Sequence, residues 1–268
     1  MLPATVAPTA PELHAGDGVA APTHVQLGDQ PMPAPCATGI GKYVALDLAR
    51  RNARTILACR SQERGQVAVE EIRAATGNPA VLLRLLDTSS LASVRTFAQA
   101  VLREEKRLDV LVNNAGVTGM CQGQAPGLEQ TFATNYLGPF LLTNLLLDLL
   151  KASAPARIVN VSSFRHSAGT ADSRCLTGQE RLSGFDATYN STKLMNILFT
   201  AELAQRLQGT GGSHGAQPCQ DCHRSGAQTM QSAWCNSFIK KPCAASADYS
   251  QMMSRSSCCF HTACRKLS

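Results

Sequence analysis

The reading of the fold turns on Arg54-Thr-Ile-Leu-Ala-Cys59, a helical pattern over residues 62–75, and Ala80-Val-Leu-Leu-Arg-Leu-Leu86. Two short aliphatic runs flank a segment of helical period, the pattern of two parallel strands joined by a crossover helix. The alternation continues outward. Leu108-Asp-Val-Leu-Val112 and Arg157-Ile-Val-Asn-Val161 read as strands, and helices are expected near residues 41–52, 89–105, 127–151 and 188–208. Strands and helices in this order predict the α/β class, a doubly wound parallel sheet with helices on both faces.

The chain has 268 residues, 44% of them hydrophobic, enough for one such domain with a sizeable core. No apolar run approaches the roughly 20 residues that a bilayer requires. Residues 1–35 hold no Lys or Arg for the positive region of a signal peptide. A soluble, cytoplasmic protein without a transmembrane segment is expected. The net charge of +6 is dispersed, which argues against nucleic acid as a partner and suits a phosphate-bearing cofactor.

Three zones differ in composition. Residues 1–35 are rich in Ala and Pro and read as disordered; the one strand-like fragment there, His24 to Leu27, is very short. Residues 36–210 carry the alternating pattern. Residues 211–268 lose it within a few positions and hold seven of the eleven cysteines, as an alternative exon or a shifted reading frame would produce. Cys219-x-x-Cys222, His223 and Cys258-Cys259-x-His261-x-x-Cys264 raise a zinc reading. The clusters stand about 35 residues apart and the second lacks CxxC spacing, so no metal site is expected.

Chemistry-bearing motifs fall at strand ends. Thr38-Gly39-Ile40-Gly41-Lys42 precedes a helix, where glycines let a backbone approach a pyrophosphate. Arg60 follows the second predicted strand; it suits a 2′-phosphate or a plain solvated surface position equally well. Asn113-Asn114-Ala115-Gly116 and Asn160-Val161-Ser162-Ser163 end two strands, where open α/β sheets bind ligands. Tyr189 and Lys193 are four residues apart and share one helix face. A neighbouring ammonium favours a phenolate, so the tyrosine is expected to titrate below its usual value and to serve as an acid/base.

Taken in order, Gly-Ile-Gly, Ala-Cys-Arg, Leu-Asp-Thr-Ser-Ser-Leu, Asn-Asn-Ala-Gly, Asn135-Tyr-Leu-Gly-Pro-Phe140, Asn-Val-Ser-Ser and Tyr-x-x-x-Lys resemble the short-chain dehydrogenase/reductase family over about residues 38–210. Ile56-Leu-Ala-Cys-Arg60 and Leu198-Phe-Thr-Ala-Glu-Leu-Ala204 resemble its retinol dehydrogenase-like branch. The resemblance implies a Rossmann-like fold and an NADP-dependent oxidoreductase of alcohols and carbonyls, with retinoids in view. It implies Tyr189 as acid/base, Lys193 as the group that lowers its pKa and holds the nicotinamide ribose, and Ser163, preferred over Ser162 by spacing, on the substrate oxygen. Asn135 would anchor a relay water. Gly39, Ile40 and Gly41 would lie under the pyrophosphate, and Arg60 would select NADP. Asp87 would meet the adenine and Asn113 the adenosine ribose, with Ala115 and Gly116 beside them. A homodimer through helices 127–151 and 188–208 is implied as well.

The chain also departs from the family. Pro35 stands where the first glycine belongs, no buried strand leads directly into the glycine turn, and nothing after Gly212 matches. The branch's N-terminal membrane anchor is not expected in this chain. The sheet is therefore expected to be incomplete, without its first strand and its C-terminal strands. Loss of a central strand would cost about 5–12 kcal/mol in buried aliphatic side chains, comparable with the stability of a whole domain. The alternative reading is a catalytically inactive, truncated product, at most a dimerisation or binding partner.

Overall fold

The structure, a computed structural model, describes residues 23–27, 39–117, 130–171, 186–207 and 215–219. The quoted stretch forms β2 (Arg54–Cys59), α2 (Gln62–Thr76) and β3 (Val81–Leu85). Helix α2 begins at Ser61, whose side chain accepts from Arg64 N. It stops at Gly77, whose φ of 71° suits a residue without a Cβ. Asn78 then ties the turn down, donating through Nδ2 to Ala49 O at 3.0 Å and Ala53 O at 2.9 Å.

Before this unit stand β1 (Thr23–Leu27) and α1 (Ile40–Arg50). After it come α3 (Leu91–Glu104), β4 (Val110–Asn113), α4 (Gln130–Phe132), a π-helical turn over Ala133–Leu137, α5 (Gly138–Leu145) and α6 (Leu147–Ala152). Strand β5 (Arg157–Val161), a 3₁₀ turn (Phe164–Ala168), α7 (Ala187–Leu207) and β6 (Gly215–Cys219) complete the order. Every strand pairing is parallel, and the sheet runs β3-β2-β1-β4-β5-β6.

Two expectations need correction. The first strand is present: Thr23–Leu27 lies at the sheet centre, with Val25 beside Ile56 on one side and Leu111 on the other. The expectation looked for the strand immediately before the glycine turn, whereas residues 28–38 separate the two. Five residues suffice at this position because both neighbours supply ladder partners, and without β1 the inner edges of β2 and β4 would be bare. The second correction is at the far edge. Gly215–Cys219, inside the zone read as aperiodic, pairs with β5 from Arg157↔Gly215 to Val161↔Cys219. An edge strand tolerates Pro218 and needs no alternating pattern. The sheet therefore extends beyond residues 36–210 at both ends. Cys222, His223 and residues 258–264 lie outside the described residues, as do the remainder of 1–35 and of 211–268.

Both faces of the sheet are covered, as a parallel sheet requires. Ile56, Leu111 and Ile158 pack on one face against Val94 and Phe97 of α3, Phe140 of α5 and Phe199 of α7. Their strand neighbours point the other way. Leu57 meets Ala45, Ala49, Val69 and Ile72, while Val112, Val159 and Val161 meet Ile40 and Val44. Asn190–Thr200 of α7 are buried without a break within the single chain. No helix among the described residues is long and apolar enough to cross a membrane.

At the start of α5, a Cβ on Gly138 would lie 2.0 Å from Thr88 O. The Gly138→Ala variant is expected to lose roughly 1–3 kcal/mol of stability through this overpacking. Val25, fully buried in β1, is expected to cost roughly 2 kcal/mol when cut to Ala. Urea denaturation measures both; an unchanged midpoint for Val25→Ala would remove Thr23–Leu27 from the sheet.

Candidate active site

The first turns of α7 carry Tyr189 and Lys193 on one face. Lys193 is buried, donates from Nζ to Val161 O at 3.0 Å, and stands 5.5 Å from the centre of the Tyr189 ring. The ammonium therefore lies over the ring face and is hydrogen-bonded at the end of β5. The Tyr189 phenol is pushed above the ordinary tyrosine value, because burial penalises the phenolate. A hydrogen bond with Ser163 and the positive charge of Arg165 oppose the rise, and the Asp186 carboxylate adds to it. This departs from the expectation of a lowered phenol: burial outweighs the Ser163 hydrogen bond and the charge of Arg165.

The two serines after β5 separate cleanly. Ser162 Oγ donates to Lys193 O at 2.7 Å, which fixes α7 to the strand end. Ser163 turns to Tyr189, and its Oγ accepts from Arg165 N at 3.3 Å as the 3₁₀ turn begins. His166 Nδ1 lies 2.6 Å from Ser163 O; a carbonyl only accepts, so this nitrogen carries the proton.

Asn135 sits within the π-helical turn, where one extra residue per turn re-aims side chains and often marks a functional position. Its amide is used on both sides. Oδ1 accepts from Val117 N at 2.7 Å, while Nδ2 donates to Val117 O at 2.9 Å and to Thr192 Oγ1 at 3.2 Å. Its main-chain oxygen accepts from Asn196 Nδ2 at 3.3 Å. Asn135 thus holds the loop after β4 to α7.

A cleft opens at the carboxyl ends of β2, β3 and β4, lined by Ala58, Arg60, Asp87, Ala115, Val117 and Thr134 among others. Small apolar residues form its walls, and a carboxylate and an exposed guanidinium stand on it. Gly39 caps α1 at its N-terminus in extended conformation, and nothing lies within 4 Å of where its Cβ would stand. Gly41 is buried in the first turn, and Ile40 packs on Val112, Val159 and Val161. A cleft with small apolar walls, a carboxylate and a rim cation, at the carboxyl ends of parallel strands, fits the adenosine part of a dinucleotide. Asp87 accepts from the N–H and hydroxyl of Ser89 and keeps a place on the cleft. Gly116 is buried beside Ala115.

Asn113 departs from its expected place. Its Nδ2 donates to Thr143 Oγ1 at 3.0 Å and to Asn160 Oδ1 at 2.7 Å, inside the domain. The side chain is held inside the domain by these bonds, and Asn113 is not among the residues that line the cleft. Sequence reasoning also passed over Thr192, Asn196 and Arg165, which anchor Asn135, Val161 and the start of α7. Their signal is positional: each lies within three residues of Ser163, Tyr189 or Lys193.

The model of short chain dehydrogenases matches residues 35–211. Retinol dehydrogenase 13 of Mus musculus is 51% identical over 175 residues, 65% of this chain and 52% of its own length. Retinol dehydrogenase 12 of Homo sapiens is 50% identical over 210 residues, 77% of this chain and 65% of its own. The chain spans about half the length of several such curated relatives. Among solved structures, the Pseudomonas aeruginosa RhlG/NADP active-site complex superposes with a TM-score of 0.57 at 25% identity, covering 75% of this chain and 72% of that one. With two thirds of its residues matched and its sheet in the order of that fold, the chain belongs to the short-chain dehydrogenase family, in its retinol dehydrogenase-like branch.

Proposed function

We propose that the chain is an NADP-dependent oxidoreductase acting on alcohol and carbonyl substrates, with retinoids as the substrate class to test first. One observation carries this reading: a half-buried phenol faces Ser163 at the carboxyl end of β5, with an ammonium over its ring. A nicotinamide bound beside this pair would supply the hydride. The chain's own part is proton handling and orientation. Ser163 would hold the substrate oxygen, and Tyr189, whose neutral form burial favours, would deliver a proton to it in carbonyl reduction. Lys193 would hold the ribose, and Asn135, Ser162 and Asn196 would keep α7 against β5. Arg60, exposed at the cleft after β2, would pair with a 2′-phosphate. The names of the retinol dehydrogenase relatives and the NADP of the Pseudomonas aeruginosa complex support the choices of substrate and cofactor. The inactive alternative rested on two losses, the central strand and the family's region after the tyrosine helix; β1, paired on both sides, bears on the first alone.

NADPH at 100 times its dissociation constant is expected to stabilise the full chain by about 2.7 kcal/mol, seen as a rise in Tm. Arg60→Ala is expected to erase the preference for NADPH over NADH. Reduction of retinaldehyde should fall by roughly 100-fold or more in Tyr189→Phe. A chain that neither shifts in Tm with NADPH nor reduces an aldehyde would overturn the reading.

The raised phenol also predicts a pH dependence of stability. An unfolded tyrosine titrates at about 10, so the fold favours the neutral form. That contribution is complete below about pH 10 and is lost as pH rises through the higher folded value. Unfolding free energy should therefore decline more steeply above pH 10 in the wild type than in Tyr189→Phe. Parallel declines in urea denaturation would show that the phenol is not buried.

A further inference from the structure

The 3₁₀ turn that follows Ser163 is fastened to α7 by one side chain that no motif of the fold calls for. Arg165 donates from Nε to Asn190 Oδ1 at 3.1 Å, and its Nη2 forms an ion pair with Asp186. Asp186 and Asn190 bracket Tyr189 at the start of α7, and Asp186 O accepts from Asn190 N at 2.8 Å. On the other side, Arg165 N donates to Ser163 Oγ. One residue therefore touches Ser163 and the two residues that flank Tyr189. The surrounding packing leaves the turn little freedom. A Cβ on Gly169 would meet Asn190 O at 2.6 Å, and Thr170 N donates to Ser191 Oγ at 3.1 Å.

We propose that Arg165 is a positioning residue: its planar fork clamps the Ser163 turn onto the start of α7 and holds the serine hydroxyl and the phenol at reacting distance. The inference rests on reading Ser163 and Tyr189 as the pair that meets the substrate oxygen. A fork suits the task better than an ammonium, because it reaches an amide oxygen and a carboxylate from fixed directions. The same guanidinium lies close enough to favour the phenolate. Among the described residues the charged groups around Tyr189 are then Arg165 on the 3₁₀ turn, Asp186 before α7 and Lys193 within it. His166, on the same turn, is held at Ser163 O. Arg165 works against burial and Asp186 with it.

The test uses the full chain labelled with ¹³C at the tyrosine ring carbon that bears oxygen, the Tyr189 resonance being the one lost in Tyr189→Phe. In Arg165→Ala this resonance should titrate at higher pH than in the wild type, and kcat for retinaldehyde reduction should fall about tenfold with KM for NADPH unchanged. Arg165→Lys should restore the titration, which needs only charge, but not kcat, which needs the fork. Asp186→Asn should move the titration to lower pH, and it decides the question if Arg165→Ala does not fold. Unchanged titration together with unchanged kcat in Arg165→Ala, or full recovery of kcat in Arg165→Lys, would overturn the clamp. A wild type without turnover whose phenol still responds to Arg165 and Asp186 as stated would overturn the functional reading and support the clamp.

Discussion

The carboxyl edge of the sheet depends on Thr23–Leu27 taking ladder hydrogen bonds from both sides. Parallel pairing to β2 sets Leu27 beside Ala58, and pairing to β4 sets Leu27 beside Asn113. The ends of β2 and β4 are thereby brought two strands apart, which is the spacing that makes Ala58, Arg60, Ala115 and Val117 walls of one cleft. Without a strand between them, β2 and β4 would have no common register, and the adenosine end of the site would have no shape. Val25 fixes the depth of the strand through its place in the core with Ile56 and Leu111.

A second set of constraints acts at the other end of the site, and it is polar. Asn160 Nδ2 donates to Thr200 Oγ1 at 2.9 Å, and Thr200 Oγ1 donates to Asn196 O at 2.6 Å. Val161 O accepts from both Lys193 Nζ and Asn196 Nδ2. Such a network fixes the axial position of α7 against β5, which apolar packing alone would leave free to slide by a rotamer. It has one loose end among the described residues. Asn113 Oδ1 is buried without a hydrogen-bond partner, a penalty of about 1–3 kcal/mol. The amide's two donated bonds keep it where it is, and the cost is accepted to tie β4 to β5 and α5.

Most of the sheet and nearly all of the helices were legible because their signals are local. The stretch from Arg54 to Leu86 carries its strands and helix in its own apolar pattern, and Ser61 and Gly77 mark the helix ends. β1 and β6 were not legible for a different reason. Thr23–Leu27 and Gly215–Cys219 have little pattern of their own and are strands because β2, β4 and β5 present edges to them. The site divides in the same way. Ser163, Tyr189 and Lys193 are found by spacing, and the structure brings them together. The orientation of Asn113 and the anchoring role of Arg165 depend on which way a side chain turns after its strand, and no sequence period encodes that.

The proton on Tyr189 shows how these levels combine. Spacing alone put an ammonium near the phenol and implied an easily formed phenolate. The fold adds that α7 is buried along this face, and desolvation of a phenolate is a larger effect than the Ser163 hydrogen bond or the attraction to Arg165. Arg165 and Asp186 then act as an opposed pair on one phenol, the first favouring its charged form and the second its neutral form. They are also ion-paired to each other, so neither exerts its full field on the ring. Burial is left as the largest influence, and it favours the neutral phenol beside Ser163 at the end of β5.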